Sequence, residues 1–147
     1  MRFLPLALIC FLPQPKPETI SGIVVGISDG DTLTILDADK KQHKIRLHGI
    51  DSPEKGQPFG DRAKHALSEK VFKKRILAVK TDLDRYGRTV AEVYVDDRLI
   101  NQEMVSEGWA WHYVKYSDSE ALADAEEKAR SKNLGLWGGQ KPIPPWK

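Results

Sequence analysis

Asp29-Gly30-Asp31-Thr32 and Arg46-Leu47-His48-Gly49-Ile50-Asp51-Ser52-Pro53-Glu54 gather the side chains that phosphate chemistry calls for. Each places carboxylates where a strand-like run breaks into a turn, and the second adds an arginine five residues before its first carboxylate. Carboxylates gathered at strand ends suit a hard cation such as Ca²⁺, which takes oxygen ligands. The planar fork of arginine suits phosphate, because it donates two parallel hydrogen bonds. Asp84-Arg85-Tyr86-Gly87-Arg88 supplies further arginines on a tight turn. Taken singly, each residue has a plainer reading: Asp31 as a turn aspartate, Arg46 as a strand-face residue, Arg88 as a solvated turn arginine. Taken together, they point to phosphodiester cleavage. A cation would hold the phosphate and its water, a carboxylate would take a proton, and guanidiniums would stabilise the charge growing on the phosphoryl oxygens.

The elements that must position these groups follow from periodicity. Ile20–Ile27, Thr32–Leu36 and Lys44–Ile50 read as strands, the last two joined by a hairpin loop at Asp37-Ala38-Asp39-Lys40-Lys41. Phe59–Phe72 changes to helical spacing through Ala63, Ala66, Leu67, Val71 and Phe72. Arg75–Thr81 and Thr89–Val95 return to strand patterning across the arginine-bearing turn. Asn101 is expected to cap a short helix through Glu107 that ends at Gly108. Ser117-Asp118-Ser119-Glu120 reads as a capping box opening a longer helix to about Asn133, with Gly135 as its stop. The order of elements predicts an α+β fold: a five-stranded OB-type β-barrel with three α-helices.

Pro53 restricts Ser52, so this bend can expose the Ser52 carbonyl and aim Asp51 and Glu54 into one space. Trp109, Trp111, Tyr113 and Tyr116 crowd one short stretch. The tryptophans read as core. Tyr113 and Tyr116, with polar ends near a loop, are candidates to stack a base or bond a phosphate. The four histidines read as structural or surface residues, and neither a His-Glu-x-x-His pattern nor a nucleophile-elbow serine is present.

Composition narrows the class. The 147 residues, 40% hydrophobic and 30% charged, describe one ordinary globular domain. Met1–Pro17 carry Arg2 and Lys16 and no acid, so the remainder holds 21 basic and 21 acidic residues. A neutral body disfavours a protein that wraps nucleic acid through wide phosphate contact. Met1–Leu12, one positive charge and then an apolar run, reads as a signal peptide, and Pro13–Pro17 as an extended spacer. The expected organisation is 1–17 signal and spacer, 18–138 domain, 139–147 tail, with secreted or periplasmic localisation. Cys10 lies inside the expected signal, which excludes cysteine catalysis and zinc–thiolate sites from the body.

The quoted segments, with Leu134-Gly135-Leu136-Trp137, resemble the thermonuclease family, in matching order from about Ile20 to Trp137. The resemblance implies Asp31, Asp51 and the Ser52 backbone carbonyl as Ca²⁺ ligands, Glu54 as the group that positions or deprotonates water, and Arg46 and Arg88 as phosphate clamps. It implies substrate contacts for Arg85, Tyr113 and Tyr116. Ser52 stands where the family often has threonine, Arg85 where it can have lysine, and an insertion shifts the spacing before Tyr116. The implied activity is Ca²⁺-dependent, sugar-nonspecific hydrolysis of DNA and RNA to 3′-phosphate ends by a monomer without a stable protein partner. The rival expectation is an inactive nucleic-acid-binding module of the same fold, which should lack part of the acid and arginine set. Asp31, Arg46, Asp51, Glu54 and Arg88 are all present.

Overall fold

Alternation of apolar and polar residues builds the sheet. In β3 (Gln42–Leu47) Ile45 and Leu47 are buried while Arg46 between them faces outward, as the two-residue period of a strand requires. The computed structural model describes residues 10–139 together with Pro142, Pro144 and Trp146. Met1–Ile9, most of the expected signal segment, lie outside the described residues. Cys10–Pro17 are exposed.

β1 (Thr19–Asp29), β2 (Thr32–Leu36), β3, β5 (Arg75–Leu83) and β6 (Thr89–Val95) form the main sheet in the order β3-β2-β1-β5-β6. A parallel pairing of β3 with β6 closes it into a five-stranded barrel. The short β4 (Ile50–Asp51) pairs with β8 (Trp111–His112), and β7 (Arg98–Leu99) pairs antiparallel with the end of β6. Helices α1 (Gly60–Val71), α2 (Ile100–Ser106) and α3 (Glu120–Ser131) complete the expected α+β fold. Leu33, Ile35, Ile45, Leu47, Leu67 and Ile76 lie in one buried cluster between barrel and helices. Burying each such side chain contributes about 1.5–3 kcal/mol.

Three local expectations change. The strand expected over Lys44–Ile50 breaks at His48-Gly49, because Gly49 turns left-handed at φ 77° and a new strand starts at Ile50. Asn101 does not cap α2. It lies buried within the first turn, where its Oδ1 accepts from Val93 N (2.9 Å) and its Nδ2 donates to His48 O (2.9 Å) and Ala91 O (3.1 Å). The capping box also moves: Ser119, whose Oγ accepts from Leu122 N at 3.2 Å, caps α3. Ser117 instead bonds the His112 ring at 3.0 Å.

Candidate active site

Three pairings draw the chemical residues together. Thr32 lies opposite Arg46 in the β2–β3 register, and Leu47 N donates to Asp31 O at 2.8 Å. The β3–β6 register sets Arg46 beside Val90, two residues beyond Arg88. Asp51 pairs with Trp111 across β4–β8, and Tyr113 N donates to Gly49 O at 2.8 Å. Strands distant in sequence therefore end at one place.

Gly30 permits a tight approach there. A Cβ at this position would come within 2.8 Å of Ala63 Cβ and 2.9 Å of Ser52 Cβ. The turn presses onto Ser52, whose backbone N–H donates to Asp31 Oδ2 at 2.9 Å. Thr32 Oγ1 donates to Asp31 Oδ1 at 3.0 Å. Arg46 Nη2 stands 3.4 Å from both Asp31 Oδ2 and Asp51 Oδ1, while its Nη1 donates to Leu47 O at 2.7 Å. The guanidinium thus bridges the two carboxylates.

The electrostatics of this cluster are uneven. Burial pushes the Asp31 carboxyl up, but Arg46 and the surrounding hydrogen bonds outweigh it and hold the group below the ordinary carboxylate value. Burial and then the charge of Asp31 push both Asp29 and Asp51 up to about 7. The charge of Glu54 also raises Asp51. One arginine does not balance this many acids packed together.

A metal ion is tested against these donors. Asp29, Asp31, Asp51 and the Ser52 carbonyl are hard oxygen donors of the kind Ca²⁺ takes, and the raised carboxyls mark a deficit of positive charge. Ser52 Oγ is buried without a hydrogen-bond partner in the same place. Among the described residues no three acidic, histidine or cysteine side chains converge as a ready cage; Arg46 stands between Asp31 and Asp51. The donor chemistry fits a divalent cation.

The second half of the site is a groove of about 670 Å³ lined by Arg46, Arg85, Arg88, Tyr113, Lys115 and Tyr116, among others. Asp84 organises its arginine turn. Its Oδ2 accepts from Arg88 Nε at 2.6 Å and its Oδ1 from the backbone N–H groups of Tyr86 and Arg88, each at 2.9 Å. Burial raises the Asp84 carboxyl, but these bonds hold it below its usual value. Arg85 and Arg88 lie over the exposed Tyr86 ring at 5.0 and 5.5 Å. Glu54 is exposed, on a turn closed by Gln57, whose Oε1 accepts from Glu54 N at 2.7 Å.

The structure thus gathers Asp31, Arg46, Asp51 and Ser52 at the strand ends, with Glu54 within electrostatic reach of Asp51. It sets Arg85, Arg88, Tyr113 and Tyr116 around the adjoining groove. Sequence reasoning gave no part to Asp29 in the acid cluster or to Lys115 in the groove wall, and read His48, which also lines the groove, as structural or surface. The repeated aspartate of Asp29-Gly30-Asp31 was a usable signal for the first; nothing local marks the other two.

Residues 44–139 match the family described as staphylococcal nuclease homologue. The chain belongs to that family. The match covers more than half the chain and includes Arg46, Asp51, Glu54 and Arg88, while Asp31 lies upstream of it. Among similar proteins, an "Uncharacterized endonuclease" of Haemophilus influenzae is 47% identical over 122 residues, covering 83% of this chain and 68% of the relative. A "Micrococcal nuclease" of Shigella flexneri is 35% identical over 159 residues, covering 100% and 90%. "Staphylococcal-like nuclease CAN1" of Arabidopsis thaliana is 41% identical over 106 residues, 72% of this chain but 33% of the plant protein. In this staphylococcal nuclease homologue, Arg46 belongs both to the acid cluster and to the lining of the groove.

Proposed function

We propose that the protein is a Ca²⁺-dependent, sugar-nonspecific nuclease that hydrolyses phosphodiester bonds of DNA and RNA and leaves 3′-phosphate ends. The observation that carries this reading is Arg46: its guanidinium bridges Asp31 and Asp51 and also lines the groove that holds Arg85 and Arg88. Relatives named as endonucleases and a micrococcal nuclease support it.

Asp31, Asp51 and the Ser52 carbonyl would hold Ca²⁺, with Asp29 adding charge beside them. When bound, the ion supplies positive charge to the phosphate and polarises water. Arg46 and Arg88 donate to the phosphoryl oxygens, and their hydrogen bonds strengthen as charge accumulates there. Glu54 accepts a proton from the attacking water. Water oxygen joins phosphorus, the P–O5′ bond breaks, and O5′ leaves and takes a proton from solvent to become a 5′-hydroxyl, with the phosphate retained on the 3′ side. Tyr113 and Tyr116 stack the neighbouring base, and Arg85 adds a phosphate contact.

The test is plasmid DNA and RNA incubated with CaCl₂ or with chelator, for wild type and Asp31→Ala. Cleavage in CaCl₂ alone, lost in the folded variant, is the expected result. Full cleavage in excess chelator would remove Ca²⁺ from the reading. We also propose export, on the apolar Met1–Leu12 run; an intact Met1 on N-terminal sequencing of a cytosolic fraction would overturn it.

A further inference from the structure

Trp146 lies far along the chain from the aromatic cluster, yet it packs directly against it. Its ring stacks on Tyr113 with centroids 4.8 Å apart and planes 16° from parallel. It meets the buried Trp111 edge-on at 6.1 Å and 78°. Tyr113 in turn meets Tyr116 edge-on at 4.9 Å. Four rings therefore run from Trp111, whose strand pairs with Asp51, to Tyr116 at the groove wall.

Two features make this a built seat. Trp111 is 4% exposed and holds Trp146 from within, while Trp146 keeps 37% of its own surface open. The sequence before it, Lys141-Pro142-Ile143-Pro144-Pro145, is proline-rich, and proline restricts the backbone before any ligand arrives. Trp146 does not line the groove of Arg46 and Arg88, so its position leaves the phosphate-facing arginines clear. Lys115, 5.4 Å over the Tyr116 ring, adds positive charge along the same aromatic row.

An indole that keeps over a third of its surface exposed while stacked on a tyrosine of a basic groove is what an unpaired base can stack on, whatever its identity. We propose that Trp146 is a substrate-binding residue that extends the Tyr113–Tyr116 face by one base, so that the site favours single-stranded segments longer than the nucleotides at the scissile bond. The inference rests on the nuclease reading for its substrate class. It assigns Trp146 affinity for length, and assigns the chemistry to other residues.

The experiment compares wild type, Trp146→Ala and Trp146→Phe on dithymidylate and octathymidylate. Turnover is read in CaCl₂, and fluorescence anisotropy of the labelled octamer is read in chelator. Trp146→Ala should raise KM and weaken octamer binding about tenfold, leave kcat and the dimer unchanged, and be rescued largely by Trp146→Phe. Equal octamer affinity in wild type and Trp146→Ala would overturn the proposal. So would tighter binding or faster turnover in Trp146→Ala, which would make the ring a cover over Tyr113. Absence of octamer binding by wild type would also overturn it. If wild type binds the octamer but cleaves neither substrate, the nuclease reading fails while anisotropy still decides the stacking role.

Discussion

Arg46 divides one guanidinium between Asp31 and Asp51 at 3.4 Å each, and a lysine in its place would keep the charge but lose the fork. Arg46→Lys and Arg88→Lys should each lower kcat roughly 10²-fold or more, by analogy with loss of one oxyanion-hole donor. Glu54→Gln, which keeps shape and removes the proposed base, should lower kcat roughly 10²- to 10⁴-fold with Ca²⁺ affinity preserved. Steady-state kinetics with calcium titration checks all three, and near-normal turnover in both arginine variants would rule out their transition-state role. A second prediction concerns Asp51, raised to about 7 by burial and by Asp31. A carboxyl held protonated in the folded state contributes stability that is full below its ordinary value of about 4 and is lost as pH rises through about 7. In chelator, Asp51→Asn should therefore raise Tm by a few degrees at pH 8 and change little at pH 4. CaCl₂ should stabilise wild type more than the variant at pH 8. Equal Tm values in chelator at pH 8 would sink the clustering argument.

At the scale of elements, the site depends on where strands stop. The His48-Gly49 turn separates the strand of Arg46 from the strand of Asp51, and Asn101 on α2 ties it down through His48 O. Asn101→Ala leaves Val93 N–H and His48 C=O without their side-chain partner. Each such group costs about 1–3 kcal/mol, so the variant should lose roughly 2–6 kcal/mol in guanidinium unfolding. A loss of less than about 1 kcal/mol would mean that water or a neighbour replaces the clamp. The cap and stop residues Asn101 and Gly108 made α2 legible in the sequence, but not the part Asn101 plays. Asparagine at a helix start usually serves the helix itself, and only the packing of β6 and the β3–β4 turn against α2 redirects it.

For the whole molecule, charge distribution sets how substrate is gathered. The body is balanced at 21 basic and 21 acidic residues, yet Arg46, Arg85, Arg88 and Lys115 share one groove. If all four contact phosphate on a single-stranded substrate, log(1/KM) should fall with log[salt] with a slope of about −3. A slope near −10 would mean a wide basic footprint elsewhere on the surface; a slope of zero would remove these cations from the contact. Arg85→Ala should reduce the slope by about 0.7 without changing kcat.

The sequence by itself determined the chemical inventory and most of the scaffold. The alternation around Arg46, the helical spacing of Ala63, Leu67 and Val71, and the glycine-bearing turns are local patterns, and a local pattern sets strand, helix or turn. The tertiary structure decided which of these groups meet. The parallel closure of β3 on β6 brings the Arg88 turn beside Arg46, and strand periodicity carries no information about distant partners. Packing decided that Arg46 and hydrogen bonds hold Asp31 low against its burial, while burial and then the charge of Asp31 push Asp29 and Asp51 up to about 7, although all three are aspartates beside strand ends. Packing likewise moved the α3 cap from Ser117 to Ser119 and seated Trp146 on Tyr113. Residue type and spacing name the possible donors, but pairing register and desolvation are long-range, and they settle which donors share a site.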